Sequence, residues 1–221
     1  MAPEIRIIGI AGLPEIKLGD DLDALIVEAA AQSTPIQDRD VVVVTQKVVS
    51  KAEGRIISLG QVQPSPRARR LAGETAKDPR LVELVLRESR RIVRRAASVL
   101  IAETRHGFIC ANGGVDASNV GGDERVSLLP EEPDASAEAI RRGIQERTGK
   151  QVAVIISDTF GRPWREGQTN VAVGLAGMSA FLDYVGQADP HGQTLRVSSI
   201  AVADELAAAA ELAMGKLSRL P

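Results

Sequence analysis

The chain has few aromatic residues: one Trp, one Tyr and three Phe, 2% of its 221 residues. Its core must therefore rest on Ala, Val, Ile and Leu. A surface that stacks nucleic-acid bases on aromatic platforms is disfavoured. Cys110 is the single cysteine, so an intrachain disulfide and Cys-rich zinc sites are excluded. The two histidines, His106 and His191, are far apart with no second ligand at metal spacing. No apolar run approaches the ~20 residues of a membrane helix. Met1–Ile10 carries Glu4 and Arg6 and lacks the apolar core of a signal peptide, so a cytoplasmic location is expected. No Pro/Gly/Ser linker and no internal repeat is found.

What is present is ordinary for a globular protein: 44% hydrophobic and 25% charged residues. The length suits one large domain or two small interlocked ones. The net charge is −2 and names no partner, but its distribution is uneven. Residues 64–95 hold ten basic side chains against four acidic ones, a balance of +6, which leaves −8 for the rest. One arm is basic and the body acidic.

Glu4–Ile10 is apolar and β-branched and reads as a strand. Asp20 or Asp21 can cap a helix over Leu22–Ala31. Asp40–Val44 is a short strand with no polar alternation, which suggests that both faces are covered. Arg55–Ser58 reads as another short strand. Pro79, preceded by Asp78, suits the start of a helix. Val82, Val85, Leu86, Ser89, Ile92 and Val93 continue that helix along one face, with arginines mostly on the other. Val99–Glu103 and Phe108–Ala111 read as strands around a turn. Asp134 or Ser136 can start a helix that ends at Gly149. Val152–Ser157 is the second buried strand, Leu195–Val202 a weak one, and Asp204–Met214 an Ala-rich helix closed by Gly215. Without regular βαβ alternation, the expected fold is α+β, an irregular mixed sheet with flanking helices.

Asp158 stands at the predicted end of Val152–Ser157. Ligand crevices open at such strand ends, and a carboxylate there suits Mg²⁺. Thr159 adds a hydroxyl, and Arg162 and Arg165 could neutralise phosphate. The alternative is a turn-capping Asp with solvated arginines. Gly113–Gly122 has four glycines with Asp116, Ser118 and Asn119 between them. Such a loop can bring backbone amides to phosphate and offer oxygen ligands, or it is an ordinary Gly-rich turn. It matches neither the Walker A nor the Rossmann pattern. Lys47 and Lys51 share a helix face at i, i+4 spacing and could hold phosphate or simply face water. The Ile10–Ile16 turn could present backbone donors to a ring. His106 beside Arg105 suits an anion or a structural contact. Cys110 reads as a buried small hydrophobe. Trp164 either packs its loop or meets a flat ligand. Together these groups fit phosphoryl transfer or phosphate-activated ligation.

Five segments occur in a telling order: Gly12–Ile16 with Gly19–Asp21, Asp40–Lys51, Arg105–Asn119, Ser157–Arg165 and Ala201–Leu206. Taken together the chain resembles the coenzyme F420-0:L-glutamate ligase (gamma-glutamyl ligase) family, including the ligase half of its bacterial two-domain version. The resemblance implies a GTP-dependent enzyme that uses Mg²⁺ or Mn²⁺, two per site, with K⁺ as a helper. It implies addition of L-glutamate to the deazaflavin precursor coenzyme F420-0, then further γ-linked glutamates, through an acyl phosphate. Asp116 and Asp158 resemble the ligands of one metal, with Thr159 on a second. Leu13, Pro14, Glu15, Ile16, Gln46, Lys51 and Asn119 resemble the nucleotide contacts. An intertwined homodimer is implied, with no nucleic-acid or membrane partner. The expected organisation is a single ligase domain over 1–221. The short apolar strand that follows the Met214–Lys216 segment in family members, and any reductase-like domain, are expected to be absent. The rival reading is a non-catalytic nucleotide- or anion-binding module that uses the basic arm.

Overall fold

The computed structural model describes residues 4–118, 124–216 and 220. Its elements run α1 (Leu22–Ala31), β1 (Val41–Thr45), α2 (Gln46–Ala52), β2 (Ile56–Ser58), α3 (Pro66–Thr75), α4 (Pro79–Arg87), β3 (Ser89–Ala96), β4 (Val99–Thr104) and β5 (Ile109–Ala111). They continue with β6 (Arg125–Ser127), α5 (Pro133–Thr148), β7 (Ala153–Gly161), β8 (Gln168–Ala176), β9 (Leu182–Asp183), β10 (Ser199–Ile200) and α6 (Val202–Met214). The fold is α+β, as the mixed pattern predicts. No described helix is long and apolar enough to cross a membrane.

The central sheet has the order β1-β7-β8. β1 pairs parallel with β7, from Val41 opposite Ala153 to Thr45 opposite Ser157. β8 returns antiparallel to β7. Val154, Ile155 and Ile156 are fully buried, each worth about 1.5–3 kcal/mol of apolar burial. One face packs against α1, α2 and α5 through Ile26, Val44, Ile140, Ile144 and Ile156. The other packs against α6 through Ile155, Ala203 and Ala207. A second core joins α3 and α4 to the β3-β4-β5 sheet and β6 through Leu71, Val82, Val85, Leu100 and Val126.

Local chemistry sets several boundaries as read from the sequence. Asp21 caps α1 by accepting from the Ala24 amide at 3.1 Å, while Asp20 accepts from Lys17. Asp78 accepts from the Arg80 amide at 2.7 Å, with Pro79 in the first turn of α4. Gly149 ends α5 at φ 71°, where a side chain would be strained.

Other expectations fail. Residues 4–10 form no strand, and Ile5 is 80% exposed. β1 is not covered evenly: Val42 and Val44 are buried, Val41 and Val43 less so. The basic arm is helical only to Arg87, and Ser89–Ala96 is an edge strand. There β4 offers a ladder along the whole segment, and a paired backbone outweighs a weak helical pattern. Neither Asp134 nor Ser136 caps α5. Asp134 accepts from the Leu175 amide and Ser136 donates to Glu53. β7 does not stop at Ser157 but runs to Gly161, because β8 pairs with it through the whole hairpin. The expected strand over Leu195–Val202 shrinks to Ser199–Ile200, and Val202 already belongs to α6.

Candidate active site

β1 and β7 lie side by side and parallel, so the β1–α2 junction falls beside Ser157 and Asp158. The Gly-rich segment reaches the same place by another route. Asp116 and Ser127 exchange backbone hydrogen bonds at 3.0 and 2.8 Å. That bridge continues the β2–β6 pairing and holds the Asp116 backbone in place.

The Asp116 carboxylate is densely engaged. Its Oδ2 accepts from Lys47 Nζ at 2.7 Å and from Ser118 Oγ at 2.7 Å. Its Oδ1 accepts from the Ser118 amide at 2.8 Å. Lys47 also donates to the Ser118 carbonyl and hydroxyl. Burial acts to raise the Asp116 pKa, but the Lys47 ammonium and the Ser118 hydroxyl and amide outweigh it and hold the carboxyl below its ordinary range.

Asp158 is the opposite case. Burial pushes its pKa up to about 6, against a hydrogen bond from the Thr159 amide. The charge of Asp116 adds to the rise, while the ammonium groups of Lys47 and Lys216 oppose it. The structure thus brings Asp116 and Asp158 into one electrostatic neighbourhood. Asp158, however, sits inside β7 and not at its end.

Successive residues of a strand face opposite ways, and Thr159 follows that rule. Its hydroxyl donates to Asn170 Oδ1 at 2.7 Å and accepts from Lys216 Nζ. Asn170 in turn donates to Glu211 Oε2 at 3.0 Å, and Lys216 pairs with Glu211 at 3.3 Å. Thr159 therefore belongs to a polar cluster with α6, on the far side of β7 from Cys110 and Asp116. Lys47 and Lys51, paired as candidates in the sequence, meet different acids, Asp116 and Glu15; Lys216 is the charged group the sequence reading did not single out. Lys216 had one usable signal, its position directly after the Gly215 helix stop.

The expected nucleotide contacts also gather. Leu13 packs on the first core, Ile16 is buried, and Pro14 and Glu15 are exposed. Glu15 pairs with Lys51 at 2.5 Å, and the Gly19 amide donates to the Ala52 carbonyl. These contacts tie the 13–20 segment to α2. Gln46, on the same helix, is buried and accepts from Ser50 Oγ at 2.9 Å. Its Nε2 donor has no partner among the described residues. Asn119 lies outside the described residues.

Other candidates separate from the site. Arg162 donates to the Glu166 carbonyl within the exposed β7–β8 turn. Trp164, in the same turn, is 100% exposed, so it packs nothing. His106 Nε2 meets the Glu131 carbonyl at 2.9 Å, a structural contact. Cys110 is buried, and burial with the nearby charge of Asp158 pushes its thiol up to about 12. It is no nucleophile at neutral pH. His106, Phe108, Pro133, β8 residues and Phe181 line a groove of about 500 Å³ that includes neither Asp116 nor Asp158.

Among the described residues, no three His, Cys, Asp or Glu side chains form a group that could hold a metal ion. Two carboxylates remain that fit one. Each offers hard oxygen donors, and like charges close enough to raise one pKa are relieved by a cation between them. Mg²⁺ and Mn²⁺ can complete such a set with water and phosphate oxygens.

Fold and site together define an α+β protein in which two acids and two lysines gather near the β1–α2 junction. Comparison of sequences narrows this. The sequence model of the F420-0:Gamma-glutamyl ligase family matches residues 11–221. Coenzyme F420:L-glutamate ligase of Methanothermobacter thermautotrophicus is 50% identical over 213 residues, covering 96% of this chain and 84% of that protein. The proteins of the same name from Methanopyrus kandleri and Methanocaldococcus jannaschii are 45% and 42% identical, over 97% and 96% of this chain and 83% of each relative. The chain belongs to the F420-0:gamma-glutamyl ligase family.

Proposed function

We propose that this chain is a ligase that joins L-glutamate to the terminal carboxylate of coenzyme F420-0 and then extends the product with γ-linked glutamates, using GTP. The observation that carries the reading is the shared electrostatic neighbourhood of Asp116 and Asp158, with Lys47 bound to Asp116 and the charge of Lys216 reaching Asp158, in a member of this family.

The chemistry follows from the substrates. A carboxylate is a poor acylating agent. Its oxygen takes the γ-phosphoryl group of GTP, and GDP leaves. The amine of glutamate then attacks the acyl carbon, the carbon–oxygen bond to phosphate breaks, and inorganic phosphate departs as the amine loses its proton. No protein nucleophile is needed, in keeping with the buried Cys110.

Asp116 and Asp158 would hold one Mg²⁺ or Mn²⁺, with K⁺ as a helper; a second ion on Thr159, as the resemblance implies, would have to displace the Lys216 ammonium from its hydroxyl. Such ions would neutralise charge on the β- and γ-phosphates. Lys47 orients Asp116 and keeps it ionised. Lys216 places positive charge beside Thr159. Leu13–Ile16, Gln46 and Lys51 receive the nucleotide. A cytoplasmic homodimer completes the proposal.

The test is to incubate the protein with Mn²⁺, L-glutamate, F420-0 and either GTP or ATP, and to follow product mass and phosphate release. Stepwise gain of glutamyl residues with GTP is expected. Equal turnover with ATP would remove the guanine assignment alone. GTP binding without turnover would favour a non-catalytic nucleotide-binding module.

A further inference from the structure

The arginines of the basic arm are not alike. Arg80 is paired with Asp78 at 2.7 Å and Glu124 at 3.0 Å, Arg87 with Glu83 at 3.0 Å, and Arg91 with Glu103 at 2.6 Å. Between α3 and β3, however, lies a cavity of about 290 Å³ lined by Arg67, Arg70, Arg94 and Arg95, with buried Leu71 beneath. A single carboxylate shares it: Glu74 pairs with Arg95 at 2.9 Å. Among the described residues, no carboxylate lies within ion-pair distance of Arg67, Arg70 or Arg94. Four guanidinium groups against one carboxylate leave a local charge of +3 in a chain of net −2. Guanidinium forks match carboxylates in planar, two-point geometry. The cavity is at the small end for ligand sites, the size for short acidic units and not for a nucleotide.

We propose that this groove binds carboxylates of the γ-glutamyl tail as it grows, an inference that rests on the ligase reading above. The reach is suitable. Ser89, at the start of β3, borders Gly113: a Cβ at Gly113 would lie 2.7 Å from Ser89 Oγ. Gly113 stands just ahead of Asp116. From Ser89 to Arg94, a strand rising ~3.3 Å per residue covers roughly 17 Å. A γ-glutamyl unit has five backbone bonds of ~1.3–1.5 Å and extends roughly 6 Å. Counting from Ser89, the groove therefore meets glutamates at least about three units behind the growing end. It holds tails of three or more and has no part in the first addition. The 2% aromatic content disfavours single-stranded nucleic acid as the occupant, since stacking platforms are lacking.

The probe is synthetic tetra-γ-L-glutamate, titrated into the whole protein by calorimetry at low and high salt without nucleotide or precursor. Binding that weakens with salt is expected, because the arginines are exposed and screened over ~8–10 Å. The pair Arg67→Gln and Arg94→Gln should weaken it at least tenfold with an unchanged circular dichroism spectrum. Arg67→Glu with Arg94→Glu should abolish it. In the ligation assay, either pair should shorten the product distribution to about three glutamates. No binding by the unaltered protein, or binding that both pairs leave unchanged, overturns the proposal. So does tighter binding of inorganic phosphate or a single-stranded oligonucleotide at these arginines, or a changed oligomeric state with tetraglutamate binding retained. Because the titration needs no turnover, failure of ligation with intact binding would sink the ligase reading and not this one.

Discussion

Lys47 Nζ lies 2.7 Å from Asp116 Oδ2, across 69 residues of sequence. This contact ties the β1–α2 unit of the first core to the Gly-rich segment beside the second. Lys47 is mostly buried and Asp116 is 41% exposed at its side chain. The pair is therefore more a positioning device than a large source of stability, since partly solvated ion pairs contribute ~0–1 kcal/mol. Lys47→Met should cost about 1 kcal/mol or less in urea denaturation. It should lower ligation by ~10²-fold or more, the scale set by loss of one preorganised electrostatic group. Without the ammonium, burial would dominate and the Asp116 pKa would rise. Carbon-13 titration of the Asp116 carboxyl in the variant checks this. An unmoved titration would show that Ser118 alone holds the acid ionised.

Asp158 makes a prediction about pH. Its folded pKa is raised to about 6, above the ~3.9 of an unfolded Asp. The folded protein therefore binds this proton more tightly. The resulting stabilisation is full below about pH 4 and is lost as pH rises through 6. At 1.36 kcal/mol per unit, the loss for the metal-free protein is about 2–3 kcal/mol. Asp158→Asn should therefore melt higher than the unaltered protein at pH 7.5 and nearly alike at pH 4. Added Mn²⁺ should raise the melting temperature of the unaltered protein and do so less for the variant. Ligation by the variant should fall ~10²-fold or more. A variant that melts lower than its parent at pH 7.5 would show that the ionised carboxylate is not strained in the fold.

Gly174 tests the packing that supports β7. A Cβ there would lie 2.5 Å from the Pro133 carbonyl oxygen and 2.8 Å from Pro133 Cβ. Pro133 opens α5, and Asp134 next to it accepts from the Leu175 amide at 2.8 Å. The helix start is thus pinned to the strand and cannot move aside freely. Gly174→Ala should destabilise the protein by about 1–3 kcal/mol, as overpacking does, measured by chemical denaturation. Unchanged stability would mean that α5 rides up without loss.

Much of the fold is legible in the residues because it depends on near neighbours. Asp21, Asp78 and Gly149 mark helix ends by chemistry within one turn. The valine run of β1 and the apolar run of β7 are buried segments by composition. The segment after Arg87 reads as helix in the sequence and forms a strand for a physical reason. Ile92 and Val93 continue the helical spacing of α4, yet short apolar runs suit helix or strand equally. Pairing with β4 decides between them.

The candidate site divides along the same line. The amino-acid sequence by itself determined which groups could do chemistry: two acids beside apolar or Gly-rich segments, a lone cysteine too apolar in its setting to react, and an arm with excess arginine. Only the tertiary structure decided which of them meet. Parallel pairing of β1 with β7 puts α2 beside Asp158, and the Asp116–Ser127 bridge delivers Asp116 to Lys47. The β7–β8 hairpin turns Thr159 away to Asn170 and Lys216. The arginines of 64–95 were one undivided charge in the sequence. In the fold, acidic neighbours pair with Arg80, Arg87, Arg90, Arg91 and Arg95, while Arg67, Arg70 and Arg94 face a cavity. Contacts between residues tens of positions apart depend on how strands pair and cores close, and that is set by the packing of the whole chain, not by the spacing of any one segment.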